Sequence, residues 1–151
     1  MVRVEYRCAK TDTLLFACDG LDEPLAAVRL CCHYFVKHGR VYEVKWREQD
    51  GTAYVFYVEE RPDEKAGVYP PPLSLSGGFG LEVRAFDEAR DTYPLLTYAE
   101  FSAAEPLLLQ LLADVVEIGG VYWEKSSIEL DEDRQTLVLY VKKIAKSPFR
   151  P

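Results

Sequence analysis

The sequence predicts an α+β fold: a β-β-α-β-β unit used twice with pseudo-two-fold symmetry, as antiparallel sheets and two helices in one compact domain over 1–151. Three features predict it. The two halves of the chain match each other in order, each carries one stretch of helical apolar period behind a proline, and a hairpin follows each such stretch.

Residues 2–16 (VRVEYRCAKTDTLLF) set against 83–97 (VRAFDEARDTYPLLT) are offset by 81 positions. Val2 then meets Val83, Arg3 meets Arg84, Thr11 meets Thr92, and Leu14-Leu15 meets Leu95-Leu96. Further on, Glu23-Pro24-Leu25 meets Glu105-Pro106-Leu107, and Gly39-Arg40-Val41-Tyr42 meets Gly119-Gly120-Val121-Tyr122. YVFYVEE (54–60) parallels LVLYVKK (137–143). Matches kept in order point to a tandem duplication, with repeats at 1–60 and 81–143 and a proline- and glycine-rich linker at 61–80.

Each repeat opens with a strand (1–7 and 81–86) and a second strand (13–18 and 94–98). A helix follows. Asp22 is its expected N-cap in the first repeat, with Pro24 in the first turn; Ser102 and Glu105 have capping-box spacing in the second, with Pro106 behind them. Helical spacing selects Leu25, Val28, Cys32, Phe35 and Val36 in one repeat and Leu108, Leu111, Leu112, Val115 and Ile118 in the other. Gly39 and Gly119-Gly120 are the expected helix stops. Asp50-Gly51 marks a hairpin between 40–48 and 52–60, and Asp131–Arg134 one between 120–130 and 135–143. In the linker, VYPPPLSL is stiffened by three prolines and is expected to lie against the protein. At the level of architecture this plan is similar to the duplicated strand-helix-strand-strand modules of gyrase-inhibitor-like effector-binding domains, and no motif ties the chain to a family.

The stretch CCHYFVKHG (31–39) raises metal or thiol chemistry, since Cys8 and Cys18 lie upstream. Zinc sites use cysteine pairs about two to four residues apart, whereas nine residues separate Cys8 from Cys18 and none separates Cys31 from Cys32. The repeat counterparts of Cys8 and Cys18 are Ala89 and Ala99, as small buried residues would leave. The expected reading is a helix interior, with no metal and no cofactor. SLSGGFG (74–80) precedes a strand, unlike a phosphate loop, and Asp131-Glu132-Asp133 and Asp87-Glu88 read as turn and solvated surface, lacking calcium-loop spacing.

A net charge of −7 disfavours nucleic acid. MVRVEYR has no apolar signal core, and no apolar run reaches the ~20 residues of a membrane span, so a cytoplasmic protein with free thiols and no membrane association is expected. Ten tyrosines and two tryptophans suit an interface as much as a core. AYVFYV (53–58) and LVLYV (137–141) are apolar on both strand faces, yet two helices cover one face of a sheet. The VYPPPLSL segment, the other repeat's sheet, a second copy or a partner must cover the other. The expectation is therefore a non-enzymatic binding or interaction protein using an apolar-aromatic sheet surface or inter-repeat groove. Tyr42, Trp46, Phe56, Tyr57, Tyr122 and Trp123 are its binding residues, and its partner is another protein or a second copy in a homodimer. The alternative is a small-molecule sensor, or an enzyme, with its site at the repeat junction.

Overall fold

The computed structural model describes residues 1–64, 79–90, 93–145 and 149. In chain order the elements are β1 (Val2–Cys8), β2 (Leu14–Leu21), α1 (Glu23–Leu30), β3 (Tyr34–Lys37), β4 (Arg40–Asp50) and β5 (Ala53–Glu60). They continue with β6 (Phe79–Ala85), β7 (Leu95–Phe101), α2 (Ala104–Leu112), β8 (Val115–Ile118), β9 (Val121–Asp131) and β10 (Thr136–Ile144). Among the described residues the fold is α+β, with two helices on a ten-stranded mixed, mostly antiparallel sheet.

Both helices end earlier than the apolar period implies, and each half gains a short strand. Phe35-Val36 and Val115-Val116 are β-branched or aromatic pairs that favour extended backbone. The expected stop signals are turns of another kind. His38 and Gly39 both have positive φ (52° and 72°), as do Gly119 and Gly120 (58° and 82°). Each pair is the centre of a two-residue type I′ hairpin turn, joining Lys37 to Arg40 and Ile118 to Val121. CCHYFVKHG is thus a helix C-terminus followed by a strand, not a helix interior. The expected capping box is also absent, because α2 starts from Ala103. Asp22 does cap α1, without a side-chain hydrogen bond.

The sheet runs β2-β1-β5-β4-β3-β9-β10-β6-β7, with β8 pairing β9. It is not purely antiparallel: β1/β5, β6/β10 and β3/β9 are parallel. The VYPPPLSL segment lies outside the described residues, and β6 begins at Phe79 within the expected linker.

The sheet's inner face meets the helices in one cluster that draws on both halves. Val4, Tyr6, Phe35, Phe56 and Val58 join Leu81, Val83, Ile128, Leu130, Leu137, Leu139 and Val141 beneath Ala26, Val28, Leu107 and Leu111. Tyr6 anchors it, its ring 4.2 Å from Phe16, 4.6 Å from Phe35 and 5.1 Å from Phe56.

The halves join where β3 lies between β4 and β9. Tyr34, Phe35 and Val36 pair with Glu129, Leu130 and Asp131. The His33 amide donates to the Ile128 carbonyl at 2.8 Å, and the Ile128 amide returns a bond to His33 Nδ1 at 3.0 Å. The β9–β10 turn then grips the first half. Asp133 accepts from the His38 and Gly39 amides at 2.7 and 2.8 Å, and Glu132 pairs with Arg29, which also donates to Tyr6 at 2.9 Å.

No helix among the described residues is long and apolar enough to cross a membrane.

Candidate functional site

On the outward sheet face of the first half, a β-bulge decides what is presented. Tyr42 and Val44 pack inward on the core, so strict alternation would send Trp46 inward too. The β4–β5 register slips between Val44 and Trp46, leaving Lys45 unmatched. That extra residue rotates the following strand. Arg47 turns inward over the Phe56 ring at 6.0 Å, and Trp46 turns outward beside Tyr57 across the ladder. Trp46 is 62% exposed, its indole N–H donating to Glu48 at 3.0 Å. Around this pair β1 contributes an ionic row: Arg7 bonds Glu5 at 3.3 Å, and Arg3 Nη1 donates to both carboxylate oxygens of Asp19 at 2.8 Å.

The other expected binding residues do not gather there. Phe56 is wholly buried and offers no surface to a partner. Tyr42 faces inward, 6.3 Å from Phe16, and Trp123 packs against the core. Tyr122 lies in the second half, across from Glu117 and Ile144.

On the second half the outward face around β6 and β10 is closed, and sequence did not single out the ion network that lies there. Val138 and Thr136 are fully buried there. Beside them Arg134 makes a two-pronged bond to Glu82 at 2.9 and 3.0 Å and a third bond to Asp131 at 2.8 Å. Arg84 approaches Glu82 at 3.1 Å and donates to the Tyr93 carbonyl at 2.7 Å. Burial raises the Glu82 carboxyl, and the Arg134 and Arg84 guanidinium groups more than offset this, leaving it below the ordinary range. Asp131, expected on a solvated turn, is instead 5% exposed and part of this network. Charged residues alternating with apolar ones in FGLEVRA and SIELD look like a strand with one wet face. A buried ion network gives the same alternation.

Glu129 sits at the seam between the halves, beside Tyr34 in the ladder, and accepts a bond from the Tyr140 hydroxyl at 2.8 Å. Burial, opposed by that hydroxyl bond and assisted by Asp131, pushes its carboxyl up to about 7 from an ordinary 4.5. A raised carboxyl favours the folded state most below the unfolded value and loses that contribution as pH climbs through the folded one. Wild-type stability should therefore fall by about 3 kcal/mol from this group between pH ~4.5 and ~7, at about 1.4 kcal/mol per pH unit. Urea titrations across that window should show this component vanish in Glu129→Gln. Parallel curves for the two proteins would refute it.

The cysteines are free thiols. Cys32 is buried and its thiol lies 3.5 Å from the Val28 carbonyl, with burial pushing its pKa up; burial raises Cys31 as well. Cys8 is lowered by hydrogen bonds from Thr11 and nearby amides. Among the described residues no group of three or more His, Cys, Asp or Glu side chains is placed to hold a metal ion.

No family model matches the chain, and no curated protein and no solved structure matches it.

Proposed function

We propose that the protein is a binding or interaction module working through the outward sheet face of its first half, with Trp46 as anchor and Tyr57 beside it. The observation that carries this is the bulge at Lys45, which spends regular pairing to turn a tryptophan into solvent. Tryptophan and tyrosine on a firm sheet supply contact area at low entropic cost and dominate interface energetics. Trp46→Ala should weaken binding of a purified partner by at least ~30-fold, about 2 kcal/mol. The melting temperature should move by only a few degrees, because the side chain is exposed. Isothermal titration with unchanged affinity would overturn the assignment of Trp46.

A second reading, a small-molecule sensor or enzyme acting at the junction of the halves, draws on Glu129, a buried carboxyl poised near neutrality at the β3/β9 seam. Thermal denaturation against a metabolite library separates the two. A ligand that raises the wild-type transition but not that of Glu129→Gln favours the sensor.

The tandem duplication with pseudo-two-fold symmetry is part of the same proposal. It is supported by a repeated element order and by matching pairings, β2-β1-β5-β4-β3 and β7-β6-β10-β9-β8. A bulge at Ser126 also stands 81 residues after the one at Lys45.

A further inference from the structure

The seam between the halves is stitched on one side only. In β9 the backbone of Ile128 bonds His33 and Leu130 pairs with Phe35. The positions 81 residues earlier in β4 are Arg47 and Gln49. The two-residue turn closing Asp50 onto Ala53 points the backbone groups of Trp46, Glu48 and Asp50 toward β5, and those of Arg47 and Gln49 away from it. β3 occupies the start of that outer edge, through Arg40–Glu43 and a bond from the Val44 amide to the His33 carbonyl. From Lys45 to Asp50 no strand among the described residues pairs with it, and all six residues are exposed.

The side chains along this edge specify an occupant. On the inner side Arg47 donates to the Cys32 carbonyl and Lys125 to the Leu111 carbonyl, and neither has a carboxylate partner among the described residues. Both also flank His33, where burial first and these two cations next lower the imidazole pKa. In a chain of net charge −7 this makes the inner side of the open ladder a positive spot. On the outer side stands Trp46, an apolar platform whose indole N–H is held by Glu48.

A second copy does not fit. Two identical edges meeting antiparallel about a two-fold must set some residue opposite itself, because facing residues orient their backbone groups alike. Centred on Lys45, Arg47, Glu48 or Asp50, the pairing places a charge against its own copy. Centred on Trp46 it sets Lys45 against Arg47, and on Gln49 it sets Glu48 against Asp50. Like charges directly opposite are destabilising in every register.

We infer that the β4 edge from Lys45 to Asp50 takes an extended peptide segment of another protein, one that alternates acidic and aliphatic side chains. Its backbone adds a strand to Arg47 and Gln49, its carboxylates face Arg47 and Lys125, and its aliphatic side chains lie over Trp46. This rests on the binding-module reading and names the partner's chemistry.

The probe is a blocked Val-Glu-Val-Glu-Val-Glu peptide, titrated into the 15N-labelled chain with Val-Lys-Val-Lys-Val-Lys as control. The expected result is saturable movement of the Arg47 and Gln49 amides with the acidic peptide and at least ~10-fold weaker binding of the basic one. Gln49→Pro removes an outward-facing N–H at an edge position that tolerates proline, and should abolish the response with the fold intact. Arg47→Glu should reverse the preference between the peptides. No shift with either peptide, equal shifts with both, or concentration-dependent shifts of these amides without peptide would each overturn the inference. A purified partner that loses binding with Trp46→Ala but not with Gln49→Pro overturns the edge and leaves the surface reading standing. Insensitivity to both substitutions overturns the two together.

Discussion

Glu82→Ala is expected to cost about 3–5 kcal/mol, a drop of roughly 10 °C or more in melting temperature. Glu82 is 4% exposed and receives both prongs of Arg134 together with a contact from Arg84. Its removal takes away the carboxylate that Arg134 and Arg84 share, leaving Asp131 on Arg134 and the Tyr93 carbonyl on Arg84, in a place water does not reach. The loss would measure that imbalance of buried charge rather than the net worth of the bridge, because buried pairs spend much of their attraction on desolvation. Asp19→Ala is the comparison. It breaks a pair of similar length, in which Arg3 Nη1 meets both carboxylate oxygens, but the Asp19 side chain is 72% exposed, so solvent screening leaves only a small loss. Chemical denaturation of both variants reads the contrast directly. Equal losses would mean that the Glu82 network is open to solvent.

The second large effect lies in the core. Phe35→Ala should destabilise by about 3–5 kcal/mol through the cavity it leaves. Phe35 is fully buried, edge-on to Tyr6 at 4.6 Å and to Phe56 at 5.1 Å. It also sits in β3, the strand shared between the halves, so its loss should loosen the pairing with Leu130 as well. Hydrogen exchange should show faster opening of the Leu130 amide in Phe35→Ala than in an equally destabilised variant elsewhere. Unchanged protection at Leu130 would separate the core from the seam.

The sequence made the long strands legible because their apolar and polar residues alternate between clear turn signals. Asp50-Gly51 closes β4 onto β5 as expected, and eight strands lie within a few residues of their anticipated limits. It misled at β3 and β8. There a four-residue strand follows a two-turn helix closely enough for its apolar residues to continue the helical period. The glycine that stops a helix is also the glycine that turns a hairpin, and only φ at His38 or Gly119 tells them apart. The site was hidden for related reasons. A bulge shifts the parity of every later residue in its strand without leaving a mark in composition, so Trp46 could not be told from Phe56. The partners of Glu82 come from its own strand and from Arg134 beyond β9, a juxtaposition created by the parallel β6/β10 pairing.

The grip of the β9–β10 turn on the first half also has a consequence in time. His33 and Ile128 are 95 residues apart, as are His38 and Asp133. During synthesis β3 therefore emerges long before the strand that completes its ladder. Through that interval Arg29 has not met Glu132, and one side of β3 stands unpaired. Contacts of such long separation close late and slow the folding of the whole chain. The emerging first half is the species most open to wrong pairing, and its final locking waits until the β9–β10 hairpin has left the ribosome.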